Sequence, residues 1–333
     1  MSLSEFEIIE RFFTRPATRP ALQSGTRLGV GDDAALLSVP AGFELVAAID
    51  TLVAGHHFLP DAAPRAIAHR ALAVNLSDLA AMGAKPVWAL LALTLPLADE
   101  SWLAEFSKGW FDLADAHGVD LVGGDTTRGP LTISVQILGL VEQGTALRRS
   151  GGQPGDLIVV TGTLGDAGAG LSIARDGGAA VMAAAADPAN RSAAAQLRAR
   201  FEFPTPRVDF GRAARGLASA AMDLSDGLAG DLPKLARASS VAAHVEADRL
   251  PLSHALQSLA SRPQALDWAL GAGDDYELLM TVPRARYELL RDLAQGCALP
   301  LSVIGELREG RGVTWSMDGA DIGARLTGFD HFR

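Results

Sequence analysis

Over the first 150 residues the spacing of hydrophobic and polar positions switches repeatedly between strand and helix periods. "FELVAAID" (43–50) is a mostly apolar run of strand length and predicts a buried strand ending on Asp50. "PRAIAHRALAVNLSDLAAMGA" (64–84) opens on a helix-compatible Pro. It sets Ile67, Ala71, Val74 and Leu79 near helical spacing, which predicts a helix. "DESWLAEFSKGWFDLADAHG" (99–118) predicts a second helix, stopped by Gly118. "VDLVGGD" (119–125) reads as a short strand running into Gly-Gly-Asp. "LTISVQILGLV" (131–141) sets Leu131, Ile133, Val135 and Ile137 at period two, a long strand.

"RRSGGQPGD" (148–156), rich in Gly, Pro and Ser, reads as a linker, and the pattern restarts after it. "LIVVTGTLGDAGAGLSIA" (157–174) is strand, glycine loop and helix; the alanine-rich piece 179–200 is helical or mobile. "ASAAMDLSDGLAGDLPKLARAS" (218–239) is strand, Asp-rich turn and helix. "DYELLMTV" (275–282) is a strand, a helix follows to about 296, and "LSVIGEL" (301–307) is a further strand. The expected fold class is α/β, with two mixed α/β domains at 1–150 and 151–333. The loop glycines Gly162, Gly165, Gly168 and Gly170 do not fit the dinucleotide-binding spacing, and no acidic residue closes a strand some twenty positions on. They are expected to serve close helix–strand packing.

Composition narrows the function classes. With 333 residues, 48% of them hydrophobic, the chain can bury two cores. A net charge of −10 makes nucleic acid and anionic membrane surfaces poor partners. The only cysteine, Cys297, excludes an internal disulfide and is expected as a small buried hydrophobe. The first ten residues carry three Glu, unlike an export leader, and read as an amphipathic helix with Ser caps. The most apolar run (87–98) is too short to span a bilayer. A cytoplasmic protein is expected. Lys85, Lys108 and Lys234 are the only lysines and none sits in a P-loop frame.

The candidate chemistry lies in carboxylates set among small or apolar residues: Asp33, Asp50, Asp78, Asp125, Asp223, Asp226, Asp274 and Asp275. An unpaired charge in such surroundings is costly. Each also has a local reading: a turn at Asp32–Asp33, an Asx-turn at Asp125, a helix N-cap at Asp226. Asp78 has the weakest one, since Asp within a helix gains nothing locally. Few cationic side chains stand near, and oxygen-only ligands favour Mg²⁺ or a similar hard ion. Zinc at "GHHF" (55–58) is disfavoured by ligand spacing. Carboxylate-held Mg²⁺ without a P-loop points to substrate phosphates.

"GVGDDAALL", "DTLVAGHHF", "ALAVNLSDLAAMGA", "LVGGDTTRGP", "LRRSG", "MDLSDGL", "GDDYELL" and the closing "GFDHF" occur in that order between residues 29 and 332. This ordered set resembles the thiamine-monophosphate kinase family, of the aminoimidazole ribonucleotide synthetase-like superfamily. The resemblance implies two α/β domains, with the N-terminal sheet pairing into a barrel across a homodimer. The N-terminal domain would carry the metal and ATP site. The implied reaction moves the ATP γ-phosphoryl group onto thiamine monophosphate, giving thiamine diphosphate, with several Mg²⁺ ions and no general base. The resemblance implies Mg²⁺ contacts from Asp33, Asp50, Asp78, Asp125, Asp223 and Asp226. It implies ATP contacts from Gly124, Asp125, Arg149 and Ser225, and substrate contacts from His57, Asp274 and Phe329.

Two departures stand out. Before "DTL" the family commonly has Ser or Thr, whereas this chain has Ala48 and Ile49, so Ile49 can offer a metal only its carbonyl. Asp274 stands where the family usually has Glu. The competing expectations are another ATP-dependent enzyme of the superfamily or a metal-dependent phosphatase. Selenophosphate synthetase is disfavoured because Cys297 is far from the N-terminus.

Overall fold

The alternation read from the sequence becomes two main sheets with accompanying helices in a computed structural model that describes residues 3–15, 25–176, 187 and 190–322. One unit runs up to Leu79 and from Ala84 to Gly144; the other takes Ala80–Gly83 and the chain from Thr145 on.

In the first unit, α1 (Glu5–Ile8) starts at Ser4, whose side chain and backbone exchange hydrogen bonds with Glu7 in a capping box. A π-helical turn, Ile9–Phe13, follows. β1 (Thr26–Leu28) and β2 (Leu36–Leu37) flank the loop that holds Asp32 and Asp33. β3 (Phe43–Val53), α2 (Pro64–Ala81), β4 (Lys85–Leu95), α3 (Glu100–His117), β5 (Asp120–Arg128) and β6 (Thr132–Glu142) complete the unit. The sheet order is β3-β6-β4-β5, with β4 and β5 parallel and the other pairs antiparallel. α2 is apolar on nearly every face and is buried accordingly: Ala71, Leu72, Leu76 and Leu79 are each 0% exposed. α3 opens on an Asp99 side-chain cap and closes on left-handed Gly118, the stop expected from sequence.

The second unit holds β7 (Leu157–Thr161), α4 (Asp166–Asp176), α5 (Arg191–Glu202), α6 (Val208–Ala213), β8 (Ala220–Asp223), α7 (Leu228–Ser239) and β9 (Ala242–Glu246). It continues through α8 (His254–Leu259), α9 (Arg262–Gly271), β10 (Leu278–Val282), α10 (Tyr287–Gly296), β11 (Leu301–Arg308), β12 (Gly312–Met317) and β13 (Ala320–Asp321). Its seven-stranded sheet runs β13-β12-β9-β11-β7-β10-β8. Only β9 and β12 pair in parallel, so the sheet is mixed. The core joins Ile158, Val160, Leu232, Leu235, Leu279 and Ile304.

Several local expectations need correction. β3 passes Asp50 and ends at Val53. It is not a buried strand, because among the described residues it is an edge strand paired only with β6; Phe43, Leu45 and Ile49 are 40%, 49% and 65% exposed. β5 continues through Asp125 to Arg128. β10 starts at Leu278 rather than Asp275, because Asp274 and Tyr276 take positive φ angles of 62° and 48° that interrupt an extended chain. The run from residue 87 lies mostly in β4, a central strand. Cys297 is exposed just beyond α10 rather than buried. Phe329, and all of the alanine-rich piece up to 189 except Asp187, lie outside the described residues.

Candidate active site

In the first unit Asp32 and Asp33 sit on the loop between β1 and β2. Gly31 has φ 118°, and the Asp32 carboxylate accepts the Asp33 N–H at 2.8 Å. Asp32 therefore serves the turn, although both Asp32 and Asp33 line a cavity of about 500 Å³ with Gly124 and Asp125. Phe6, Ile9 and Phe13 supply an apolar wall of the same cavity. Its shape needs glycine at 124, where φ is 153° and a Cβ would lie 1.9 Å from the Leu91 carbonyl oxygen. The β4–β5 ladder shifts register beside this point, between Ala89 and Leu90. Bulges of this kind re-aim side chains at sheet rims.

Asp50 lies in β3, and its N–H donates to the Asn75 side-chain oxygen at 3.1 Å. Asn75 is fully buried in α2 and its amide donates to the Ala71 carbonyl at 2.9 Å. Asp78 is three residues on, on the same helix face. Asn75 thus ties the Asp50 backbone to the helix that carries Asp78. Its signal in the sequence was a poor helix former inside an apolar helix. Burial pushes the Asp50 carboxyl above its ordinary pKa. Ile49, next along the strand, has a 65% exposed side chain and only a backbone oxygen to offer. His57 stands in the turn after β3, where its Nδ1 accepts the Val53 N–H at 3.1 Å. Nε2 then carries the proton of the neutral ring and is a donor.

The second unit joins two of the sequence motifs by backbone bonds. The Asp274 N–H donates to the Ser225 carbonyl and the Tyr276 N–H to that of Leu224, both at 2.9 Å. Gly273 allows this approach: a Cβ there would lie 2.4 Å from the Ser225 oxygen. Asp274 itself takes a left-handed conformation, a strained state for a non-glycine residue and common at functional sites. Asp223 ends β8 and is buried, while Asp226 is half-buried. The "LRRSG" segment lies alongside, since the Arg148 carbonyl accepts the Ala221 N–H at 2.8 Å. Arg149 is exposed, with its carbonyl accepting the Ser239 hydroxyl at 2.9 Å.

Exposure of the carboxylates is uneven. Asp33 and Asp125 are exposed, so burial does not penalise them, contrary to the expectation for the whole set. Among the described residues no three His, Cys, Asp or Glu gather as a ready metal cluster. Mg²⁺ characteristically takes one or two carboxylates, waters and substrate phosphates, so the residues here fit it. The all-oxygen donor set and the half-buried Asp50 carboxylate, which has no ion pair among the described residues, point the same way.

The whole chain matches a known pattern. Residues 31–141 match the family model "AIR synthase related protein, N-terminal domain", and residues 153–317 match that of the C-terminal domain. This defines the class, a two-domain AIR synthase related α/β protein. The thiamine-monophosphate kinase of Escherichia coli strain K12 is 46% identical, over 100% of this chain and 99% of that protein. The crystal structure of thiamine-monophosphate kinase from Stenotrophomonas maltophilia K279a is 48% identical with a TM-score of 0.85, covering 96% of this chain and 98% of that one. AaThiL complexed with AMPPCP and TMP matches with a TM-score of 0.75 at 31% identity, covering 94% of each chain. The chain belongs to the thiamine-monophosphate kinase family, a family of phosphotransferases.

Proposed function

We propose that this protein transfers the γ-phosphoryl group of ATP to thiamine monophosphate, producing thiamine diphosphate and ADP. The observation that carries this reading is end-to-end similarity to a protein solved with AMPPCP and TMP together. A terminal phosphate oxygen of the acceptor attacks the γ-phosphorus in line. The bond from that phosphorus to the bridging oxygen breaks, and ADP leaves with the electron pair. A phosphate monoester is largely dianionic at neutral pH, its second pKa being about 6, so no side chain needs to act as base.

Bound Mg²⁺ would supply neutralisation of phosphate charge and orientation of the reacting oxygens. Mg²⁺ ions would be held by Asp33, Asp50, Asp78 and Asp125 of the first unit, with the Ile49 carbonyl as a further oxygen, and by Asp223 and Asp226 of the second. Gly124 leaves room for close approach of a phosphate, and Arg149 and Ser225 complete the ATP contacts. His57 donates to the acceptor phosphate. Asp274 and the C-terminal Phe329 meet the thiamine part. The exposed apolar face of β3 supports a homodimer in which the N-terminal sheets pair into a barrel. Among the described residues no helix is long and apolar enough to cross a membrane, and a cytoplasmic location suits the single cysteine.

The test is incubation with ATP, Mg²⁺ and either thiamine monophosphate or free thiamine. Thiamine diphosphate is expected from the monophosphate, with none from free thiamine. Release of inorganic phosphate without thiamine diphosphate would mark a phosphatase, and comparable turnover of free thiamine would defeat the phosphate-acceptor reading.

A further inference from the structure

The turn that carries Ser225 and Asp226 is held by two residues outside the family motifs. Asp231 lies in the first turn of α7 with a side chain that is 0% exposed. One carboxylate oxygen accepts the N–H groups of Ser225 and Asp226 at 3.0 and 2.9 Å. The other accepts the Lys234 ammonium at 2.9 Å. Lys234, one helical turn further, also donates to the Asp226 carboxylate. A carboxylate that takes two consecutive backbone N–H groups dictates the local backbone path, and with it the direction of the Asp226 side chain. One ammonium then serves two carboxylates. Asp226 and Lys234 remain 31% and 35% exposed, so this pair is open to exchange, while Asp231 is not.

We propose that Asp231 and Lys234 are positioning residues for the nucleotide and cation site: Asp231 sets the Ser225–Asp226 turn, and Lys234 holds Asp226 by an ammonium that a divalent cation displaces. The inference rests on the reading that Ser225 meets the nucleotide and Asp226 the cation. A divalent cation arriving at Asp226 meets a like charge in Lys234, and the two compete for the same carboxylate oxygen. Removing the ammonium therefore strengthens cation binding at this position. Replacing it with another cationic side chain does not. Loss of Asp231 leaves two N–H groups of the turn without their acceptor and loosens the nucleotide contact.

The experiment is a Mn²⁺ titration of the full-length protein without nucleotide, read by electron paramagnetic resonance, together with calorimetric binding of AMPPCP. Thermal melts establish folding of each variant. Asp226→Asn is expected to lose one Mn²⁺ site. Lys234→Gln should tighten that site on the order of tenfold, the scale of one removed like charge at close range, and Lys234→Arg should stay near wild type. Asp231→Ala should weaken AMPPCP binding, with Asp231→Asn, which keeps one acceptor for the turn, falling between it and wild type. If Asp231→Ala does not fold, the Lys234 series and Asp231→Asn still decide. An unchanged or weaker Mn²⁺ site in Lys234→Gln, or Lys234→Arg behaving like Lys234→Gln, overturns the displacement. A fall in melting temperature with unchanged ligand binding across the Asp231 variants reduces that residue to a structural one. Retention of every Mn²⁺ site in Asp226→Asn removes the cation from Asp226, and the inference with it.

Discussion

Asp32 and Asp33 stand side by side but are not equivalent. The Asp32 carboxylate is turned onto the backbone N–H of its neighbour, an acceptor role that Asn can also fill. Both line the cavity shared with Gly124 and Asp125, but the turn does not engage the Asp33 carboxylate, and a charge is needed there if it is to hold Mg²⁺. Asp33→Asn and Asp78→Asn are therefore each expected to lower kcat/KM on the order of 10²–10³, the loss of several kcal/mol of transition-state stabilisation. Asp32→Asn should do much less. A Mg²⁺ titration of the three variants beside wild type, with folding checked by circular dichroism, makes the comparison, and equal losses at 32 and 33 would defeat it. At this scale the aspartates were legible because each sits oddly among small or apolar residues. Their partners were not: Asn75 reaches Asp50 from 25 positions away, and no local pattern announces that.

Among the elements, α4 shows most clearly how a buried carboxyl group is arranged. Its N-terminus meets the Asp275 carboxylate, which accepts the Gly165 N–H at 2.9 and 3.1 Å. Asp275 is 2% exposed, and burial pushes its pKa up to about 8, against the opposing pull of the backbone donor and Arg200. In the unfolded chain the same group titrates near its ordinary value of about 4. The folded state therefore binds this proton more tightly, and the resulting stability is complete below about pH 4 and is lost as pH rises through about 8. Asp275→Asn mimics the protonated acid and removes the titration. Denaturant unfolding at pH 5, 6.5 and 8 should show wild type losing stability relative to the variant, by at most about 1.4 kcal/mol per pH unit. A difference that is flat or grows the other way would refute it. The neighbouring glycines permit close packing, but against helices and not, as expected, against a strand: a Cβ at Gly168 or Gly170 would lie 2.4 Å from Ala272 or 2.2 Å from Leu197. Helix–helix contact, and not a dinucleotide, explains them.

At the scale of the whole molecule, β3 presents an edge and an exposed apolar face that no other strand of its unit covers among the described residues. Edge strands that are long and apolar invite pairing with another chain unless something covers them. Phe43, Leu45 and Ile49 on β3 give that face an apolar stripe, consistent with the proposed barrel across two chains. Leu45→Asp should leave the fold intact, since Leu45 is 49% exposed, and shift the protein from dimer to monomer in sedimentation velocity. A wild type that sediments as a single chain, or a variant that stays dimeric, would exclude β3 from the interface.

The α/β class and most of the helices and strands are legible in the residue order because they rest on local periodicity and capping, while the ordered motifs supply the residues of the proposed site. The helix at 64–81 and the Gly118 stop are legible in the amino-acid order alone, since both depend on neighbours within one or two turns. Tertiary structure decided which side of each element is dry. β3 looked buried from its composition, yet it lies at a sheet edge, and sheet order is set by pairings between residues far apart in the chain, such as Asp50 with Val135. It also decided which carboxylates are committed elsewhere. Asp231 is taken by the Ser225–Asp226 backbone and Asp275 by a helix N-terminus, because a buried carboxyl group needs donors that only the folded chain brings within reach.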